Sequence, residues 1–259
     1  MPWDTKWDLG NRHTGSGTPW VFYRSRGEKT VQRPVILSDG FAPGETNVDE
    51  LYEGLENGQY PFISTLRQAG FDIILLGFAD RTASILDNAT LATQCIQRAI
   101  SEREGDAPLT VGGFSMGGLI TRYALAKMER QRMDHEVSTY LSYDTPHCGA
   151  WLPLGVQALA HYVKSNWGGV GKPVLNSFSD LVNSPAARQM LRWHLETATG
   201  PSTSPTASTR TGPTSWKPWS GWATGRSGPA SSASPTARTP APGTTSPPAT
   251  ARWNPTDPI

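Results

Sequence analysis

The chain has 259 residues, with 23 Lys and Arg against 22 Asp and Glu, and a formal net charge of +1. That length suits one α/β domain, and the near-neutral balance offers no footing for nucleic acid or an anionic membrane surface. No apolar run is long enough to span a bilayer, and Met1 to Trp7 lacks the apolar core of a signal peptide, so a cytoplasmic protein is expected.

In chain order, residues 19–24 read as an early strand and Pro34 to Ser38 as a buried strand, because β-branched and apolar residues run together there. Asp39 to Gly44 is the loop that ends it. Residues 47–60 are acidic and polar and read as a surface insertion. Pro61 can open a helix, since a missing N–H does no harm in the first turn, and Gly70 can close it. Phe71 to Leu76 is the next buried strand. Asp87 or Asn88 can cap a helix whose apolar face is Leu91, Cys95, Ala99 and Ile100.

Leu109 to Gly118 is the most informative stretch. An apolar strand runs into Gly113-Phe114-Ser115-Met116-Gly117, and a helix-like segment follows to about Gln131. A serine hydroxyl is a poor nucleophile unless it is held exposed, and a tight strand-to-helix turn does this by pushing the side chain out of the sheet top. The helix that follows points its first amides at any oxyanion formed there. Ser115 is therefore the candidate nucleophile. A further strand is expected at Val137 to Tyr143. Alternating buried strands and amphipathic helices imply a mostly parallel sheet with helices on both faces.

Residues 152–195 read as mainly helical, broken at Pro173 and Pro185, and are expected to form a cap over the sheet top. Trp151, Leu152, Leu154, Trp167, Val174 and Leu175 would give it an apolar lining, suited to an acyl or aromatic substrate or to ordinary packing. Cys95 and Cys148 suggest no disulfide framework, with Cys95 a packed free thiol. No Cys/His cluster has metal-ligand spacing, so no metal or organic cofactor is expected. From Pro201 to Pro258 there is no Leu, Val, Ile, Phe, Met, Tyr, Cys, His, Glu or Gln. Such a segment cannot bury a core and is expected to be disordered. The expected organisation is a core over 1–150, a helical cap over 151–200 and a low-complexity tail over 201–259.

The first 200 residues resemble bacterial α/β-hydrolase esterases and lipases. The resemblance lies in Ser38 to Pro43 (Ser-Asp-Gly-Phe-Ala-Pro), the Gly-Phe-Ser-Met-Gly turn, Tyr143 to Ala150 (Tyr-Asp-Thr-Pro-His-Cys-Gly-Ala) and Asn183 to Leu191. It implies the α/β-hydrolase fold and a serine carboxylic-ester hydrolase acting through an acyl-enzyme on a small ester or lipid-like substrate. It implies that the Met116 and Phe41 backbone amides hold the oxyanion, at about 3 kcal/mol of barrier per donor. A non-catalytic binding protein of the same fold, and a thioesterase or acyltransferase on the same site, are the alternatives.

The family's triad runs serine, acid, histidine in chain order, with acid and base after the last two strands. Here the chain departs from the pattern. His135, His147, His161 and His194 follow Ser115, but none follows a final strand. His147 lies in the Thr-Pro-His turn, where the family histidine lines the site, and Asp144 is an alternative acid. His161, His194 and Asp180 fall on cap helices. The C-terminal strands are missing or replaced by the tail, so impaired catalysis is expected. The tail's composition is that of GC-rich DNA read out of frame. Back-translating Thr214 to Thr236 and moving the frame by two nucleotides gives an amphipathic helix, a turn and a strand ending Val-Ala-Asn-Gly, similar to the family's seventh strand.

Overall fold

The computed structural model describes residues 3–11, 15–167, 173–196 and 209–211. Residues 1–225 group as one unit and 226–259 as a second, which lies wholly outside the described residues. The strands are β1 (Thr5–Lys6), β2 (Leu9–Asn11), β3 (Gly15–Phe22), β4 (Pro34–Ser38), β5 (Asp72–Phe78), β6 (Leu109–Phe114), β7 (Val137–Tyr143), β8 (Trp193–Leu195) and β9 (Thr209–Thr211). The helices are α1 (Val48–Glu56), α2 (Phe62–Gln68), α3 (Ile85–Glu102), α4 (Met116–Arg130), α5 (Leu154–Trp167), α6 (Pro173–Val182) and α7 (Pro185–Met190).

Seven strands form one sheet in the order β1-β3-β5-β4-β6-β7, with β2 also on β3. β5, β4, β6 and β7 run parallel, and β3 lies antiparallel to β5. Every residue of β4 and β5 is buried. Alternation then sends their side chains to two cores. Ile36, Ile74, Leu76 and Val111 pack with the α3 and α4 residues Leu91, Cys95, Ile96, Leu119 and Ile120. Val35, Leu37, Ile73 and Leu75 face the other way, onto Leu51, Tyr52, Leu55 and Ile63 of α1 and α2. This is the α/β-hydrolase arrangement, with the functional loops gathered at the carboxyl ends of the parallel strands.

Several elements differ from the sequence reading. Residues 47–60 hold the helix α1, because Asn47 accepts from the amides of Asp49 and Glu50 and so caps it. α1 buries no residue fully, which is why its pattern reads as surface. Ser84, not Asp87 or Asn88, caps α3 by accepting from the Leu86 amide, so the helix begins earlier than its polar residues suggest. β3 starts at Gly15 rather than residue 19, extended by pairing with β2. Pro61 and Gly70 do bracket α2, with Gly70 at φ 84. The 152–195 stretch ends in β8 rather than helix, and β8 pairs antiparallel with β9. The disorder expected of 201–259 concerns residues outside the described ones, save Thr209–Thr211. Cys95 and Cys148 are both free thiols, and burial pushes the Cys95 thiol far up.

Candidate active site

β6 ends at Phe114, Ser115 takes φ 50 and ψ −122, and α4 begins at Met116. A positive φ on a residue with a Cβ is strained, and it persists only where the surroundings hold it. The Ser115 amide donates to the Tyr143 carbonyl at 3.0 Å, which ties the turn to the end of β7. The flanking glycines are required by close approach. A Cβ on Gly113 would come within 2.4 Å of the Gly117 carbonyl carbon, and one on Gly117 within 2.2 Å of the Ser38 carbonyl oxygen. The turn is therefore wedged against the end of β4, and Ser115 is left half-exposed at the sheet top.

The loop after β4 reaches the same place. A Cβ on Gly40 would stand 3.3 Å from Ser115 Cβ, so the backbone of Gly40 and Phe41 lies beside the serine. The Gly40 amide donates to its neighbour Asp39 Oδ1 at 2.7 Å. The Phe41 ring packs beside Ala150, Leu152, Val182, Ala187 and Leu191, which seats the loop under the segment that contains α6 and α7. Met116 is fully buried, and its amide opens α4 next to the serine.

The titratable candidates are placed differently. Asp144 follows β7 at φ 48, is exposed, and has no side-chain hydrogen bond among the described residues. His147 is half-buried, with Arg122 Nη1 3.2 Å from Nδ1 and Ser142 Oγ 2.7 Å from Nε2. A guanidinium only donates, so Nδ1 accepts and the ring proton sits on Nε2, donated to Ser142. Burial first, and then the Arg122 charge, hold the His147 pKa below its ordinary value. The Ser142–His147–Arg122 chain thus keeps the imidazole neutral and turned to Ser142.

The other histidines that follow Ser115 are occupied in similar ways. His161 Nε2 meets the Leu195 carbonyl at 2.9 Å, and His194 Nε2 meets that of Val182 at 3.2 Å. His135 accepts the Val137 amide on Nδ1 and faces Glu129 with Nε2. Among the described residues no histidine hydrogen-bonds Ser115. Asp180 instead pairs with Lys164, holding α6 to α5. Of the cap residues singled out, Trp151 is 74% exposed with its ring under Arg192, Leu152 packs beside Phe41, and Leu154 is exposed. The side chains of Trp167, Val174 and Leu175 lie outside the described residues. Among the described residues there is no group of three or more His, Cys, Asp or Glu able to hold a metal ion, and no helix long and apolar enough to cross a membrane.

Two features were hidden from the sequence reading. Arg122, in the middle of α4, gave no signal of its contact with the His147 turn. Asp39 reads as an ordinary turn residue, yet it is buried and multiply bonded. Only its position directly before the Gly40–Phe41 step could have drawn attention to it.

A mostly parallel sheet in this strand order, with a serine at a strained strand-to-helix turn, defines the class as the α/β-hydrolase fold. Residues 88–166, which hold most of α3, the Ser115 turn and the His147 turn, match the family described as "Putative serine esterase (DUF676)". That match spans under a third of the chain and shows a likeness to putative serine esterases over those residues. No curated protein matches it by sequence. Among solved structures it is similar to the mature lipase BlEst2 of Bacillus licheniformis, at 16% identity and TM-score 0.41 over 66% of this chain and 60% of that one. It is also similar to an esterase of the fungus Rhizomucor miehei, at 10% identity and TM-score 0.43 over 55% of this chain and 44% of that one. Brefeldin A esterase, a bacterial homologue of human hormone-sensitive lipase, gives 12% identity and TM-score 0.41 over 69% of this chain and 50% of that one. The chain therefore spans less than two thirds of the length of each of these structures. The fold rests on strand order and the serine turn, not on these likenesses.

Proposed function

We propose that this chain is a serine carboxylic-ester hydrolase in which Ser115 attacks the ester carbonyl and expels the alcohol to form an acyl-enzyme, from which water releases the acid and the free serine. The Met116 and Phe41 amides hold the oxyanion. The observation that carries the reading is the strained serine at φ 50, wedged between Gly113 and Gly117 and abutted by Gly40. A side chain held at such a cost points to function. The substrate class is a small ester or lipid-like ester, and no step calls on a metal or organic cofactor.

Catalysis is impaired in the chain as it stands. His147 accepts from Arg122 on Nδ1 and donates its Nε2 proton to Ser142, so neither ring nitrogen has a lone pair free for the serine proton. Asp144 is the acid only if a base reaches it. The base belongs to the reading frame displaced from about residue 201 onward. Sequencing the coding DNA across codons 195–215 tests that point, and a frame that no one- or two-base change restores to a histidine-containing one refutes it.

Among the described residues no histidine reaches Ser115, which favours a second reading, a non-catalytic binding protein of the same fold. A serine-directed fluorophosphonate separates the two. Covalent modification mapped to Ser115 and lost in Ser115→Ala is the expected result. No modification of folded, frame-restored protein supports the binding protein.

A further inference from the structure

We propose that Arg81 is a positioning residue that clasps the loop after β4 and so aims the Phe41 amide at the oxyanion; this rests on the reading of Ser115 as nucleophile. All of the guanidinium's hydrogen bonds described fall on one short loop. Arg81 Nη1 lies 3.3 Å from Asp39 Oδ2, Nη2 donates to the Pro43 carbonyl at 3.1 Å, and Nε donates to that of Gly44 at 3.4 Å. The Arg81 backbone amide adds a bond to the Gly44 carbonyl at 3.1 Å. One side chain thus joins the first residue of the loop to its last two, with Gly40, Phe41 and Ala42 bowed between them. An arginine serving only the surface charge would need no such fork, whereas a planar guanidinium is suited to bridging fixed acceptors.

Asp39 is the other half of the clasp. Its Oδ2 also accepts from Thr46 Oγ1 at 2.7 Å, while its Oδ1 takes the Gly40 amide. The Gly40 amide is thereby engaged inside the loop, and Phe41 supplies the next N–H along the chain. The ion pair is mostly shielded, with side-chain exposures of 18% for Arg81 and 11% for Asp39, so water screens it less than a surface pair. The loop ends are pinned to the sheet as well, since Asp39 N donates to the Leu76 carbonyl and Thr46 N to that of Phe78, each at 2.9 Å.

Arg81 is itself held from behind. Ala186 N donates to the Thr82 carbonyl at 3.1 Å, and Gln189 bridges the Ile85 amide and the Ser84 hydroxyl at 2.6 and 3.0 Å. The turn that carries Arg81 is therefore buttressed by α7, while the Phe41 ring is seated beside Ala187 and Leu191 from α7 and its C-terminal end. One helix supports the clasp and the residue it aims. A hydrogen-bond donor works on an oxyanion only if it is aimed before charge develops, because reorganisation during the reaction costs the advantage. The clasp supplies that aim without touching substrate.

The test uses the full chain with Arg81→Met and Arg81→Lys. Two quantities are read on folded protein: the rate of covalent modification of Ser115 by a fluorophosphonate, and amide exchange in a peptide spanning residues 39–46. Modification develops negative charge on a phosphoryl oxygen, so it needs the aimed donor. Arg81→Met is expected to slow modification by about ten-fold or more, consistent with the loss of much of one oxyanion donor. Exchange over 39–46 should rise while exchange over 109–125 stays as in the parent. Arg81→Lys, able to pair with Asp39 but not to bridge Pro43 and Gly44 as well, should fall between. Equal modification of parent and Arg81→Met overturns the clasp while leaving Ser115 as nucleophile. A uniform rise in exchange across both peptides also overturns it, since the arginine then only stabilises the fold. Should the parent be unmodified, the same variants are read in the frame-restored chain, and no modification of Ser115 there overturns the nucleophile reading and the clasp together.

Discussion

β5 and β7 are both seven-residue strands of one sheet, yet every residue of β5 is buried and none of β7 is. β5 lies between β3 and β4, with α3 and α4 residues over one face and α1 and α2 residues over the other. β7 pairs only with β6 among the described residues, and Tyr140 and Tyr143 stand 37% and 67% exposed. Among the described residues no strand pairs with its outer edge, and such an edge is a template for association with another chain. The contrast extends to the site. The half built on β4 and β6, with Ser115, Gly40 and Phe41, is wedged and bonded into place. The half beyond β7, where Asp144 and His147 lie, has its carboxylate exposed and its imidazole bonded to Ser142 and Arg122. The proposed site is thus wedged into place where the sheet is covered and, among the described residues, less enclosed at the β7 edge.

The largest effect is expected from supplying the proposed base. Loss of a triad member costs about 10⁴ to 10⁶ in turnover, with the oxyanion donors leaving a residue of catalysis. The 259-residue chain is therefore expected to hydrolyse a short activated ester barely above background. A chain with the tail frame restored should be faster by several orders of magnitude, and Ser115→Ala should abolish activity in both. Initial rates on monomeric protein, checked by size-exclusion chromatography, measure this. Fast turnover by the chain as it stands, lost in His147→Ala or His194→Ala, would make one of those residues the base and erase the contrast between the halves.

An intermediate effect is expected on stability. Leu75 is fully buried in β5, so Leu75→Ala should cost about 2–5 kcal/mol through lost transfer energy and the cavity left behind. Thr139 is exposed on β7, and Thr139→Ala should stay within about 0.5 kcal/mol. Urea midpoints at constant slope give both values. Comparable losses at the two positions would mean that β7 is covered in solution, by another copy or by the rest of the chain.

Those two strands also mark how far the sequence could be read. β4, β5, β6 and β7 were legible because short β-branched runs bounded by Gly, Pro and charged residues have few other solutions. The Ser115 turn was legible because its glycines answer a steric demand, here the contact of Gly117 with Ser38. α1 was missed because its residues are only half-buried, and the capping role of Asn47 depends on geometry rather than on an apolar stripe. The start of α3 was misplaced because three polar residues, Ser84, Asp87 and Asn88, could each cap, and only the tertiary structure chooses Ser84. The partners of His147 lie 25 residues away at Arg122 and five away at Ser142, a convergence that no local pattern announces.

The smallest expected effect concerns these imidazoles. Burial is the largest cause lowering the pKa of both His147 and His194, followed by the charge of Arg122 for the first and of Arg188 for the second. In the unfolded chain each would titrate near its ordinary value of about 6.5. Below that pH the unfolded chain binds protons that the folded chain does not, so stability rises with pH through this window. The contribution of each neutral histidine is present above about pH 6.5 and is lost as the pH falls toward the lowered folded value. His147→Gln, which can still accept from Arg122 or donate to Ser142, should flatten that dependence between pH 7 and 5, as should His194→Gln. The two should add, because the residues have separate partners. Urea unfolding at a series of pH values reads the slope. If His147→Gln left it unchanged, the imidazole would be charged or freely hydrated in the fold, and the Nε2 proton donated to Ser142 would no longer support the proposal that His147 is not the base.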